Sequence, residues 1–182
     1  MTKARDLANG GFGLVLMKPS SVVGGTDNGK GTVSFSAATS VSLNDVFSAT
    51  YDSYKIIIEM TQSAAADCYL RMRTGGSTDS GSNYLYNTLR GFGTTLQTAA
   101  ITSQDHFQVH YYSAIGATWA EITIHNPFKS SNTYYTTTWR SNQPALGLVA
   151  GIHNLTTSYE SFELYMSGGT ITGTVSVYGY NK

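Results

Sequence analysis

ITGTVSVYGY, residues 171–180, decides the architecture. Ile171, Val175 and Val177 fall on one side of an extended chain, and Thr172, Thr174, Ser176, Tyr178 and Tyr180 on the other. Side chains of a strand alternate between faces with a period of two, so this stretch reads as a strand with one buried face. From its place in the sequence we expect it to close a sheet.

The same alternation recurs upstream, written in Thr, Ser, Tyr and Gly instead of charge. TVSFSA (32–37) buries Val33 and Phe35, and SVSLNDVF (40–47) buries Val41 and Leu43, with Asn44-Asp45 marking a turn or bulge. YKIIIEMT (54–61) sets Tyr54, Ile56, Ile58 and Met60 against Lys55, Ile57, Glu59 and Thr61. DCYLRMRT (67–74) points Cys68, Leu70 and Met72 inward, and the short connection 62–66 predicts a hairpin between these two strands. Further strands are expected at 83–92, at 106–113 (Phe107, Val109 and Tyr111 inward), at 117–125 (Ala120, Ile122 and Ile124 inward), at 133–141, at 146–152 and at 161–166. The polar run 74–83 reads as a surface loop, and 92–104 as a short helix or turn. Nine or ten strands without helical periodicity or a fixed repeat predict an all-β, two-sheet antiparallel β-sandwich over 32–182. Jelly-roll winding is preferred to an immunoglobulin-like order, and the absence of a blade-length repeat disfavours a propeller.

Residues 1–31 have a different composition. They hold Gly10, Gly11, Gly13, Gly24, Gly25, Gly29, Gly31 and Pro19, with Leu14, Val15, Leu16 and Met17 as the one apolar anchor. Glycine at this density costs too much chain entropy for a self-standing element. An extended N-terminal arm that orders against a neighbouring subunit is expected; a disordered leader or a long first loop is the alternative.

Charge is sparse. Of 182 residues 12% are charged, about half the ordinary ~25%, and the formal net charge is zero. Surfaces committed to partners need little charge, so a homo-oligomer is expected. No basic stripe is present to neutralise phosphates, which argues against nucleic acid; Arg71 and Arg73 share one strand face but do not make a groove. Apolar runs are too short for membrane insertion, and Lys3, Arg5 and Asp6 lead into ANGGFG instead of a signal-peptide core, so synthesis in a cytoplasm is expected. Cys68 is the single cysteine and reads as a buried free thiol.

No catalytic or cofactor motif emerges. His106 and His110, four apart, are expected on one face of a flat strand but roughly 13 Å apart at ~3.3 Å per residue, too far to share a metal ion. The glutamates are isolated, so no carboxylate pair can be assigned for glycoside hydrolysis. Nucleophile-elbow, zinc-helix and phosphate-loop signatures are missing. No catalytic, cofactor or metal residue is therefore expected. Tyrosine is abundant, with 13 residues, and doubled tyrosines put one ring on each sheet face. The loop 74–83 with its flanks, namely Arg73, Asp79, Asn83, Tyr84 and Tyr86, is the expected contact edge for a glycan or a protein partner.

The opening TKARDLANGG, the segment YLRMRTGGSTDSGSNYLY at 69–86 and the closing GTVSVYGYNK resemble terminal domains of tail-fibre and other virion-surface proteins of tailed bacteriophages, marine podoviruses in particular. Leu70, Arg73, Tyr84 and Tyr86 occupy the places of a strand-loop-strand pattern, and Gly173, Val175, Val177, Tyr178 and Gly179 those of the closing one. The resemblance implies an oligomer, a trimer first, on the outer surface of a phage head or tail, attached to other virion proteins through residues 1–31. The chain has no long shaft or coiled-coil heptads, which points to a short fibre, knob or decoration protein. A host-glycan adhesin is the alternative and a glycan-active enzyme the lesser one.

Overall fold

The computed structural model describes residues 13–111 and 116–180. Among them every regular element is a strand. Three short pieces lead: β1 (Leu14–Leu16), β2 (Ser21–Val23) and β3 (Thr26–Asp27). There follow β4 (Thr32–Ala38), β5 (Ser40–Asn44), β6 (Ser53–Gln62), β7 (Cys68–Thr74), β8 (Ser77–Thr78), β9 (Tyr84–Phe92), β10 (Thr95–Gln104) and β11 (Phe107–His110). The chain ends in β12 (Ala117–His125), β13 (Thr133–Ser141), β14 (Ala145–His153), β15 (Ser161–Met166) and β16 (Ile171–Tyr180).

These strands form two antiparallel sheets packed as a jelly-roll β-sandwich. The larger runs β10-β9-β14-β13-β12-β6-β16-β4-β3, with β1 also paired to β16; the smaller runs β11-β7-β15-β5-β2, with β8 beside β7. From β4 through β7 every connection crosses from one sheet to the other, the winding expected of a jelly roll. The closing strand is central: β16 pairs with β6 along one side and with β4 and β1 along the other. Its Ile171, Val175 and Val177 are fully buried. Opposite them the smaller sheet contributes Val41, Leu43, Leu70, Met72, Phe162 and Leu164, each worth about 1.5–3 kcal/mol on full burial.

The inner face of β14 carries two glycines because two aromatic rings occupy their side-chain space. Trp139 on β13 lies opposite Gly147, and a Cβ there would stand 2.3 Å from the indole Nε1. Tyr135 lies opposite Gly151, where a Cβ would meet its ring at 2.6 Å. Phe107 stacks on Tyr135 from the smaller sheet, with centroids 3.8 Å apart, so the rings bridge the two layers.

Four sequence expectations are corrected. The connection 62–66 is not a hairpin: β6 and β7 belong to different sheets, and the short link turns the corner between them. Residues 92–104 form neither helix nor turn; β10 is a ten-residue strand hairpinned to β9. Its alternation is weak because nearly all of it is exposed on both faces. His106 and His110 do not share a face. A register shift in β11 between Gln108 and His110 sets His110 opposite the inward-facing Cys68, while His106 stacks on the outward Tyr69. Finally, the arm is extended from residue 13 on, but it is ordered against its own domain. β1 pairs with β16, β2 with β5 and β3 with β4, and Met17 packs against the core, so residue 31 divides no packed units. Its glycines are corners: Gly24 and Gly31 have φ of 76° and 101°, and side chains there would strike the carbonyls of Ser40 and Met17. Residues 1–12, with the whole of TKARDLANGG, the end of the expected strand 106–113 from Tyr112 on, and the closing pair 181–182 lie outside the described residues.

The glycine–aromatic stacks make a direct prediction. Gly147→Ala should destabilise the protein by about 1–3 kcal/mol through overpacking against Trp139. Ala150→Ser, on the exposed side of the same strand, should change stability by less than ~0.5 kcal/mol. Urea denaturation of the two variants measures the difference.

Candidate functional site

The loop expected to recognise a partner is fastened into the fold. Asp79 is its hub: Oδ1 accepts the Gly81 N–H (2.9 Å) and the Asn83 amide (3.4 Å), while Oδ2 accepts the Tyr159 hydroxyl (2.8 Å) and His153 Nε2–H (2.9 Å). The Tyr84 hydroxyl donates to the Asp79 carbonyl and accepts the Met72 N–H. Arg73 donates to Asn44 Oδ1 and to the Gly76 carbonyl. Tyr84 and Tyr86 are buried, so the rings expected at a contact edge stand in the core instead. Both lie on one face of β9, and that face is the inner one.

Burial alone would raise the Asp79 carboxyl; the Gly81 N–H, the Tyr159 hydroxyl and the His153 ring outweigh it and hold Asp79 below its ordinary value. For His153 burial prevails over the neighbouring carboxylate, so the ring titrates below its ordinary value and serves as a neutral donor. His110 is buried between the sheets, where its Nδ1 accepts from Gln62 Nε2 at 3.0 Å and its ring meets Trp139 edge-on. Burial pushes it down to about 4. These groups are held in structural contacts, and none lines the groove on the outer face of the larger sheet.

The outer face of the larger sheet offers a different arrangement. Register sets Trp119 on β12 between Glu59 on β6 and Arg140 on β13, and Thr174 on β16 lies beyond Glu59. At ~4.8 Å per strand the Glu59 and Arg140 backbones stand about 10 Å apart with the indole between them. In the adjoining row Thr172 and Thr61 pair across β16 and β6, next to Ala117, whose carbonyl accepts the Asn142 N–H. Small side chains in that row and a large one beside it leave a groove of about 670 Å³. Trp119 is 40% exposed. Among the described residues neither Glu59 nor Arg140 has an ion-pair or side-chain hydrogen-bond partner, whereas nearby Lys55 and Glu121 pair with each other at 2.6 Å.

No family model matches this chain, and neither does any curated protein. Solved structures share the general architecture at low similarity. Galectin LEC-6 of Caenorhabditis elegans is 10% identical, with 80% of this chain and 95% of that chain covered, at a TM-score of 0.37. A carbohydrate-binding module of Cellvibrio mixtus lichenase 5A, in complex with cellotriose, is 16% identical over 92% and 96%, at 0.28. The SPRY domain of human HERC1 is 7% identical over 91% and 99%, at 0.29. Function must therefore be argued from this chain's own residues.

Trp119 was not among the expected contact residues, although the alternation that buries Ala120, Ile122 and Ile124 already turns it outward. Of the described residues no cluster of three or more His, Cys, Asp or Glu could hold a metal ion.

The buried histidines predict an acid-labile fold. A histidine whose folded pKa is depressed stabilises the protein fully above its unfolded value of ~6.5 and loses that contribution as pH falls toward the folded value. For His110 the window is pH 6.5 to about 4, and roughly 2–3 kcal/mol should disappear across it. His106 and His153, both lowered by burial, act on the same side. Asp79 and Asp105, held low by their partners, add their loss only at still lower pH. Denaturation free energies measured from pH 7.5 to 4 should decline, and His110→Gln should flatten the decline.

Proposed function

We propose that this chain is a carbohydrate-binding β-sandwich whose site is the outer-face groove around Trp119. The observation that carries this reading is the exposed indole set between an uncommitted glutamate and an uncommitted arginine. A pyranose has an apolar C–H face that stacks on an indole, and a rim of hydroxyls that both donate and accept. Arg140 supplies fixed donors at one side of the indole and Glu59 supplies acceptors at the other. Thr61, Thr172 and the Asn142 side chain add neutral partners along the floor. Glu59 is the single carboxylate among the groove residues, and the Glu121 carboxylate is held by Lys55. Hydrolysis by a carboxylate pair needs two acids facing one sugar bond, so the arrangement favours binding over cleavage.

A second reading is that the domain is a structural component of a phage particle, such as a short fibre, knob or decoration protein. It is supported by the low charge and by the apolar end of the same face, where Leu89, Leu96, Leu146 and Leu148 are exposed. Exposed apolar groups gathered in one patch mark interaction surfaces. The two readings are compatible, since an adhesin on a virion does both.

A glycan array followed by calorimetry on the best binder tests the groove. Trp119→Ala should weaken binding about tenfold or more, and Arg140→Ala by a similar factor. Tyr134→Ala removes an aromatic from the same sheet face away from the groove and should leave affinity unchanged. Absence of any glycan binding, or binding insensitive to Trp119, overturns the proposal.

A further inference from the structure

β10 ends the larger sheet with its far side open. It pairs with β9 alone, and among the described residues no strand meets its other edge. Its sequence, TLQTAAITSQ, contains no charged residue and no proline. Exposed edge strands present a row of unpaired N–H and C=O groups, and monomeric proteins blunt them with lysines, prolines, bulges or short length. β10 is ten residues long, and its one irregularity falls between Ile101 and Gln104, which leaves 95–101 regular and unprotected.

We infer that two copies of this chain join edge to edge through β10, antiparallel about a two-fold axis at Thr98, so that their larger sheets become one. The sequence selects this partner and this register. Pairing a strand with its own copy sets every residue against another residue of the same strand, so any charge on it would risk facing its like. β10 has none. With the axis at Thr98, Leu96 faces Ala100 of the second copy, Gln97 faces Ala99, and Thr98 faces Thr98. Each large side chain thus meets a small one, and two hydroxyls meet at the axis. Leu96 is 74% exposed and lies beside Leu146 across Gly91, so the second strand covers the most exposed member of the leucine patch. A seven-residue strand pair buries less than the ~1,200 Å² of standard stable interfaces, so the dimer forms in a concentration-dependent manner. This contact is separate from the Trp119 groove and stands or falls without it.

Sedimentation of the full chain tests the inference. The native protein should shift from monomer to dimer as concentration rises to ~0.5 mM, a range that captures weak interfaces of this size. Thr98→Lys sets two ammonium groups face to face at the axis and should weaken association at least tenfold, with the circular dichroism spectrum unchanged. Cross-linking gives an independent readout, because the native thiol, Cys68, is buried. Thr98→Cys should form a disulfide-linked dimer under mild oxidation, while Val23→Cys, exposed near the opposite margin, should not. A native protein that stays monomeric, a Thr98→Lys variant that associates as before, or a Thr98→Cys variant that links no faster than Val23→Cys overturns the inference.

Discussion

Register across the larger sheet is the constraint on which this molecule depends. β6 lies between β12 and β16, and its ladders to both run almost its full length. A slip of one residue in either would send Ile56, Ile58, Ile122 and Val175 to solvent and bring Lys55, Glu59, Trp119 and Glu121 inside. The cost of burying those charges makes the observed register the stable one. The same choice that builds the core therefore places the indole of Trp119 outside, between Glu59 and Arg140. Groove and core are two faces of one register.

The ladders also join distant parts of the chain. β6 and β16 are separated by more than a hundred residues, and neither has a hairpin partner next to it in sequence. Loop closure of that length must precede the contacts that repay it, which makes such topologies slow to fold. β1 lies along the end of β16, so the glycine-rich leader is tied to the last strand as well. Gly24 and Gly31 are there because the chain must pass close to the carbonyls of Ser40 and Met17 while linking strands of both sheets. Over residues 13–31, a stretch whose composition suggests a loose arm is a seam paired to strands of both sheets.

Much of this was legible in the sequence because one face of each strand is buried. Ile56 and Ile58, Leu70 and Met72, Ile122 and Ile124, and Val175 and Val177 announced their orientation by alternation alone. Alternation cannot name a strand's neighbour, which is why 62–66 read as a hairpin when it is a sheet-to-sheet corner. It also fails where little is buried: β10 is mostly exposed, with Ile101 alone packing against the core, and left almost no period to read. At β11 a register shift reversed the phase, and counting from His106 assigned His110 to the wrong face. Tyr84 and Tyr86 show a different limit. In the sequence they read as contact residues, but a tyrosine is equally at home in a core with its hydroxyl bonded or on a binding edge. Only the Asp79 hub, which Tyr84 joins through the backbone carbonyl, separates the two.

The groove and the open edge belong to the same outer face, and this gives the low charge of the chain a physical role. Trp119 lies four strands from β10, or about 19 Å at ~4.8 Å per strand, so copies joined at β10 would carry their grooves roughly 40 Å apart on one continuous sheet. A flexible surface polymer that spans this distance could engage both, and the second contact would benefit from the high effective concentration set by the first. Charges scattered over the intervening strands would repel across the two-fold axis. Between the groove and the edge the face instead carries Thr138, Leu148, Leu89 and Thr98, while Lys55 and Glu121 neutralise each other on the far side of Arg140. Two weak sites on a neutral platform would then gain avidity without any single contact being strong, as a shallow groove built on one indole would require.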